Sequence, residues 1–208
     1  MDINFIQDLE KKLYNTLPGA AAQNLMAPLG SEKYRVATPD HKIACVLALL
    51  FPKNNEWHIS LIERAIHHPD DKHAGQISFP GGQLNESDYS YEDCALRETY
   101  EEIGIAPDTI GILGELTPLF VFVSNFMVHP FVGFTTEYPK FVKQDSEVKN
   151  ILQVPLHHFT KAKNKGVADI EVRDQLLTDI PYYDVMGYKL WGATAMIMSE
   201  LEHFIKDY

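Results

Sequence analysis

Apolar residues recur every three or four positions near the start of the chain and stop at Pro18-Gly19. This spacing predicts a helix over residues 3–17 with one buried stripe. Residues 20–41 show little periodicity, and we expect them to wrap the surface of the domain.

The central part of the chain alternates between apolar runs and polar turns. An unbroken apolar run over residues 43–51 predicts a buried strand over residues 42–52, and residues 57–64 return as the second strand of a hairpin after a polar turn. Residues 76–79 predict a short strand that runs into a tight Pro-Gly-Gly bend. Further strands are predicted around residues 112–122, 126–134, 150–154, 168–173 and 187–191.

A helix is predicted over residues 91–103. Ser90 precedes it as a capping residue, Asp93 completes a capping-box pattern, and Gly104 stands where helices commonly end. A last helix is predicted over residues 193–206. Strands interleaved with a few helices indicate one α/β domain over residues 1–208, with residues 1–40 forming its N-terminal helix and wrapping segment.

Composition and charge restrict the classes of partner. The 208 residues carry a net charge of −11, which argues against a general nucleic-acid binder or an anionic-membrane binder. A phosphate substrate would therefore need a local positive charge. The two cysteines, Cys45 and Cys94, lie in apolar or helical patterns and favour a reducing compartment. No apolar run is long enough to span a bilayer and no secretory signal is visible, so we expect a cytoplasmic protein.

Three glutamates and an arginine lie within six consecutive positions, RETYEE, of the helix predicted over residues 91–103. At about 100° per residue, Glu98, Glu101 and Glu102 lie within roughly a 100° arc of one face. Arg97 stands one turn before Glu101, within reach of its carboxylate. On the opposite face we expect an apolar anchor made of Leu96, Tyr100 and Ile103.

Two interpretations of the acidic face remain open on its own sequence. It is either a solvated surface with an incidental ion pair, or a set of oxygen ligands that converge on Mg²⁺ or Mn²⁺. A bound cation would offset the repulsion between the neighbouring carboxylates. It would also supply the positive charge that a phosphate substrate needs.

Residues 75–105 resemble the Nudix box, in which a glycine and an acid precede R-E-U-x-E-E-x-G-U, where U is a bulky apolar residue. The matching residues are Gly82, Arg97, Glu98, Glu101, Glu102, Gly104 and Ile105. The acid is Asp88, separated from Arg97 by eight residues, one more than in the general pattern, and Thr99 stands at the first U. The additional residue lies upstream of the glutamates and leaves their mutual spacing unchanged.

The resemblance to Nudix hydrolases implies both a fold and an activity. The fold would be an α/β/α sandwich with a mixed β-sheet and a loop-helix-loop catalytic box. The activity would be metal-dependent hydrolysis of a nucleoside diphosphate linked to another group, and members of the family often form homodimers. The implied metal ligands are Glu98 and Glu102, with Glu101 and the carbonyl oxygen of Gly82 in or beside the same shell. Candidates for the catalytic base are Glu98, Glu101 and Glu147, while Arg97 would orient Glu101.

Segments around the box are similar to the coenzyme A diphosphatase branch of this family. They are Arg64-Ala65, the G-x-x-x-F-P-G-G run over residues 75–82, the E-V and V-P-L groups over residues 147–156, and the tyrosine and W-G-x-T-A run over residues 188–195. The similarity implies that Arg64, Phe79, Gly81 and Gly82 contact the substrate. It also implies cleavage of coenzyme A or acyl-CoA to 3',5'-ADP and 4'-phosphopantetheine or its acyl form.

One residue departs from that branch. Asp71 stands where the branch has a second arginine, and an aspartate would repel a substrate phosphate that an arginine would bind. Lys72, His73 or His67 are the nearby residues that would replace it. The alternatives are a Nudix hydrolase of ADP-ribose, NADH or a dinucleoside polyphosphate, and a nucleotide-binding module without catalysis.

Overall fold

The computed structural model describes residues 3–65, 75–172 and 175–206. Its four α-helices are α1 (Ile3–Leu13), α2 (Ala20–Gln23), α3 (Tyr91–Ile103) and α4 (Gly192–Ile205). Short 3₁₀ turns join several of the elements. Within the described part of the chain, none of the helices is both long and apolar enough to cross a membrane.

Eleven strands are present among the described residues and form two sheets. They are β1 (Lys42–Lys53), β2 (Glu56–Arg64), β3 (Ile77–Ser78), β4 (Gly81–Gln83), β5 (Gly111–Glu115), β6 (Leu119–Val121), β7 (Phe126–Phe134), β8 (Val148–Pro155), β9 (Lys165–Val172), β10 (Gln175–Val185) and β11 (Tyr188–Trp191). The large sheet has the order β3-β2-β1-β7-β5, with β4 paired to β1, β6 to β7 and β8 to β2. It is mixed, because β1 and β7 are parallel and the other pairs are antiparallel. The small sheet is the antiparallel set β11-β10-β9.

Strand β1 lies in the middle of the large sheet and is apolar on both faces. Ala48 and Leu50 contribute to one core, which also contains residues of α1 and α4. Cys45 and Leu47 contribute to a second core on the other face, where α3 packs. This continuous apolar run separates two helical layers, and the predicted α/β/α sandwich with a mixed sheet is confirmed.

The N-terminal helix is shorter than predicted, and the segment after it is packed more deeply into the protein than predicted. Helix α1 ends at Leu13 instead of residue 17, and the side-chain amide of Asn15 donates to the carbonyl of Lys11 at 2.7 Å. Such a local bond competes with continuation of the helix. Beyond it, Gln23 is buried and donates to the carboxylate of Glu200 at 2.9 Å, so this part of residues 20–41 is anchored to α4.

One predicted strand was wrong in extent and one strand was missed. The predicted strand over residues 112–122 is divided into β5 and β6, since Pro118 lies between them and has no N–H to continue a ladder. Strand β10 was not predicted at all. Its apolar and polar residues do not alternate regularly, it contains Pro181, and Asp179 has a positive φ of 55° at an irregularity in its pairing with β9.

Candidate active site

Local signals in the sequence define both ends of α3. The Ser90 hydroxyl accepts a hydrogen bond from the N–H of Asp93 at 3.0 Å. Gly104 has the left-handed φ of 73°, and its N–H donates to the carbonyl of Tyr100 at 2.9 Å. The predicted helix bounds and both predicted caps are confirmed.

The buried face of α3 is rotated from the expected one. Tyr100 was expected to anchor the helix but is 54% exposed, so that part of the prediction was wrong. The side chains that are buried are Cys94, Ala95, Thr99, Glu102 and Ile103. One of the three glutamates therefore lies inside the packed face of the helix.

Glu102 is 1% exposed and connects α3 to the start of β4 and to the end of β2. Its carboxylate accepts the N–H of Gly81 at 2.8 Å and lies 3.5 Å from a guanidinium nitrogen of Arg64. The pKa of Glu102 is raised to about 8, mainly by burial; the N–H of Gly81 and the charge of Arg64 oppose this rise, and the charges of Glu98 and Glu147 add to it. The ionised form is thus disfavoured at neutral pH unless a positive charge joins it.

Arg97 binds four oxygen atoms of three acids at once. Its guanidinium donates two bonds to Asp88, at 2.7 and 2.9 Å. The same side chain donates to Glu98 at 2.7 Å and to Glu101 at 3.0 Å. The predicted contact with Glu101 is confirmed, but it is the more exposed end of a larger network.

Asp88 has a larger part in the site than the sequence suggested. Its side chain is 3% exposed, accepts the N–H of Asn85 at 2.8 Å and forms the two-bond pair with Arg97. The hydrogen bond from Arg97 is the main cause that lowers the pKa of Asp88 to about 2. The additional residue between Asp88 and Arg97 has not separated them. The position of Asp88 as the acid of the box pattern was the signal that could have identified it as the anchor of Arg97.

Glu98 lies against the backbone of β4. A Cβ atom at Gly82 would fall 2.5 Å from the carboxyl carbon of Glu98, so a side chain there would displace the carboxylate. Burial is the main cause that raises the pKa of Glu98, against the lowering effect of Arg97. The carbonyl of Gly82 accepts a weak bond from the thiol of Cys94 at 3.8 Å.

Replacing Gly82 by alanine should therefore reduce activity without unfolding the protein. The three atoms nearest the new methyl group all belong to the end of the Glu98 side chain, which can move aside by rotation. We expect a loss of roughly 10- to 100-fold in kcat because ångström-scale misplacement costs about that much. Gly81→Ala is the contrasting variant: Gly81 has a φ of 153°, and a Cβ there would meet the carbonyl of Cys45. That change should lower the free energy of unfolding by about 3 kcal/mol. Denaturant titration and kcat of both variants test the difference, and equal destabilisation by the two would contradict it.

Arg64 and Glu147 meet at the side of the site away from Arg97. Arg64 is half-buried, and its Nε has no hydrogen-bond partner among the described residues. The backbone carbonyl of Glu147 accepts the N–H of Ala65 at 2.8 Å, which places Glu147 beside Arg64. Glu147 is exposed, and its charge raises the pKa values of Glu98 and Glu102.

The carboxylates of the site are the type of ligand that a divalent cation prefers, although they do not point to one common position. Within the described ranges, no three acidic, histidine or cysteine side chains are grouped closely enough to hold a metal ion. Glu98 and Glu101 point to Arg97, and Glu102 points to Gly81. Even so, two buried carboxylates with raised pKa values are what a hard cation would relieve. Metal binding by Glu98, Glu101, Glu102 and the carbonyl of Gly82 stays a prediction.

A cleft of about 810 Å³ opens beside Gly81 and Gly82. It lies between the large sheet, the small sheet and the start of α4. Three of the predicted substrate residues, Arg64, Gly81 and Gly82, line it. The fourth, Phe79, also lines the cleft and is 2% exposed. The structure thus brings all four together, next to the box carboxylates.

The residues that were expected to separate coenzyme A from other substrates cannot be placed. Asp71, together with His67, Lys72 and His73, lies outside the described residues. Trp191 and Gly192, by contrast, line the cleft at the first turn of α4.

Comparisons with known proteins show which family the sequence matches. The NUDIX domain family matches residues 41–175. A protein of Pectobacterium atrosepticum named uncharacterized Nudix hydrolase NudL is 36% identical over 137 residues, which are 65% of this chain and 70% of that protein. A protein of the same name from Escherichia coli is 33% identical over 165 residues, covering 79% of this chain and 83% of its own length.

Solved structures share the fold at low sequence identity. The NUDIX domain of Shewanella oneidensis NrtR, complexed with ADP ribose, has a TM-score of 0.55 and 15% identity over 81% of this chain and 90% of that one. An Ap4A hydrolase of C. elegans has a TM-score of 0.51 and 15% identity over 80% and 99% of the two chains. With the sandwich fold, the box geometry and the sequence match taken together, the chain belongs to the Nudix hydrolase family.

Proposed function

We propose that this protein is a metal-dependent diphosphatase that hydrolyses coenzyme A or acyl-CoA. Water would add to one phosphorus and the bridging P–O bond would break, giving 3',5'-ADP and 4'-phosphopantetheine or its acyl form. The observation that carries the proposal is the position of Glu98 and Glu102 beside Gly81-Gly82, where a large cleft begins.

The side chains of the site would divide the work between holding a cation, orienting carboxylates and binding phosphate. Mg²⁺ or Mn²⁺, when bound, would polarise the phosphoryl oxygens, acidify the attacking water and offset the charge of the leaving phosphate. Glu98 and Glu102 would hold it, with Glu101 and the carbonyl of Gly82 beside them. Arg97 would keep Glu98 and Glu101 in fixed orientations, since it binds both.

The proton of the attacking water needs a carboxylate acceptor. Glu98, Glu101 and Glu147 are the candidates: Glu98 is partly buried, whereas Glu101 and Glu147 are exposed. Arg64 faces the cleft and would bind a substrate phosphate through its guanidinium.

Coenzyme A is supported by the sequence segments that line the cleft. Arg64, the F-P-G-G run and the W-G-x-T-A run are all similar to the coenzyme A diphosphatase branch, and all three contribute residues to the same cleft. A second candidate is another nucleoside diphosphate derivative, such as ADP-ribose, NADH or a dinucleoside polyphosphate. Asp71 favours it, because the arginine that the coenzyme A branch has at this position is missing, and an aspartate would repel the phosphate that the arginine would bind.

A substrate panel tests the proposal. The purified chain is incubated with one substrate at a time in the presence of Mg²⁺ or Mn²⁺, and the products are identified by mass. The substrates are coenzyme A, acetyl-CoA, octanoyl-CoA, ADP-ribose, NADH and a dinucleoside polyphosphate. We expect 3',5'-ADP from the coenzyme A compounds. Turnover of ADP-ribose or NADH alone would move the assignment to the second candidate, and no turnover of any compound would favour a binding module without catalysis.

A further inference from the structure

The cleft beside the box is divided into a polar end and an apolar end. Four of its polar side chains, Arg64, Gln76, Ser78 and Gln83, belong to β2, β3 and β4 or lie next to them, while Ser124, Gln175 and Thr194 line other parts of the cleft. On the other side of β1, the lining side chains of the large sheet are mainly apolar and come from β6 and β7.

The floor of the apolar end is one continuous face of the large sheet. Val46 of β1 pairs with Gly81, Ala44 pairs with Val128 of β7, and Val121 of β6 pairs with Phe126 of β7. The strand order across this part of the sheet is therefore β4, β1, β7 and β6. At about 4.8 Å between neighbouring strands, the floor extends about 14 Å from Gly81 to β6.

The small sheet and α4 enclose this floor from above. Val172 of β9 and Leu177 of β10 line the cleft from the small sheet, and Trp191, Ala193 and Ile197 line it from the start of α4. Among the described residues that line the whole cleft, Arg64 is the single charged side chain. A phosphate placed at the apolar end would find no described cation there, and burying it would be unfavourable.

We infer that the apolar end binds the neutral arm of the substrate, and that Val121 and Leu177 set the preference for the acyl chain attached to that arm. This inference rests on the proposed function. With the diphosphate at Gly81-Gly82, an arm that crosses to β6 must span about 14 Å, or about twelve bonds of an extended chain. That is about the length of the arm of coenzyme A between its phosphate oxygen and its sulfur. The acyl group would then begin where Val121 and Leu177 line the cleft from opposite sheets.

Neighbouring residues of β10 provide a matched pair of variants. Leu177 lines the cleft and is half-buried, whereas Leu176 is 63% exposed and is not among the residues that line it. The two leucines point to opposite faces of the strand because side chains alternate. Leu177→Gln should therefore weaken binding of the acyl chain, and Leu176→Gln should not.

The test measures kcat/KM for a series from acetyl-CoA to dodecanoyl-CoA, with 3',5'-ADP as the common product. In the wild type we expect kcat/KM to rise about fourfold per added methylene until the apolar end is filled, the factor that corresponds to ~0.8 kcal/mol per buried methylene. Leu177→Gln should reduce this to about twofold or less. Leu176→Gln should keep the full dependence. Identical chain-length profiles for the two variants would overturn the inference.

A binding measurement separates this inference from the proposed function. Calorimetry with S-octanoyl-pantetheine, which lacks the diphosphate, should show weaker binding to Leu177→Gln than to the wild type or Leu176→Gln. If coenzyme A compounds are not hydrolysed but this difference is found, the function is wrong and the subsite stands. If they are hydrolysed and the difference is absent, the subsite is wrong and the function stands. Weaker binding of 3',5'-ADP to Leu177→Gln would instead assign the apolar end to the nucleotide.

Discussion

If Glu98 and Glu102 hold the cation as proposed, replacing either by glutamine is expected to lower kcat by about a thousandfold or more, because each change would remove a charged ligand from the ion that would stabilise the transition state. Glutamine has nearly the same size as glutamate and retains an oxygen acceptor. In Glu102→Gln that oxygen can still accept the N–H of Gly81. Affinity for Mn²⁺, measured by calorimetry, should fall at least about a hundredfold in both variants, more than loss of an outer-shell partner alone would cause.

Stability measurements distinguish this loss of activity from unfolding. The pKa of Glu102 is raised from its ordinary value of 4.5 to about 8, so its effect on stability is favourable below about pH 4.5 and is lost as the pH rises through 8. Without added metal, the wild type should therefore lose stability over this range, and Glu102→Gln should lose less. Glu92→Gln is a matched control, since Glu92 is exposed on the first turn of the same helix. Full activity of either Glu98→Gln or Glu102→Gln with Mg²⁺ would show that the metal assignment is wrong.

The parts of the site that follow from local sequence were predictable. Ser90, Asp93 and Gly104 determine where α3 begins and ends, since capping depends on residues within one turn of each terminus. The contact of Arg97 with Glu101 follows from their spacing along the helix. These features need no knowledge of the rest of the fold.

The parts that depend on distant segments were not predictable from spacing. A helical wheel places Glu102 with the polar residues, but the N–H of Gly81, brought close by the pairing of β4 with β1, satisfies its carboxylate inside the packed face. The wall of the cleft was missed for a similar reason. Strand β10 is held by its pairing with β9 and β11, although Pro181 and the positive φ of Asp179 interrupt the pattern of a regular strand.

The charges of the site form a chain that begins at Asp88. Asp88 holds Arg97 by two bonds, and Arg97 in turn contacts Glu98 and Glu101. Glu102 is held separately, by Gly81 and Arg64. The two metal-binding glutamates implied by the family resemblance are thus oriented by different parts of the protein. A change at Arg97 should disturb Glu98 while leaving the contacts of Glu102 intact.

Arg97→Lys is accordingly expected to lower kcat by about 10- to 100-fold and the free energy of unfolding by about 3 kcal/mol. Lysine retains the charge but lacks the planar fork, so it cannot make the two-bond pair with Asp88 while it also contacts Glu98 and Glu101. Arg35→Lys is the control, because Arg35 also uses two guanidinium nitrogens, toward Asn24 and Ser31, at a site outside the box. Equal losses of activity in the two variants would contradict a specific part for Arg97.

Asp88→Asn adds a pH signature that a simple packing defect would not produce. The pKa of Asp88 is lowered from 3.8 to about 2, so the stability that its charge contributes is complete above about pH 4 and is lost as the pH falls through 2. Each pKa unit corresponds to about 1.4 kcal/mol, so the wild type should exceed Asp88→Asn by about 2 kcal/mol at neutral pH. Denaturant titrations from pH 2 to 7 should show that difference shrinking toward the acid end. A difference that stays constant over this range would mean that Asp88 supports α3 by its shape alone, and that Arg97 is oriented by the glutamates.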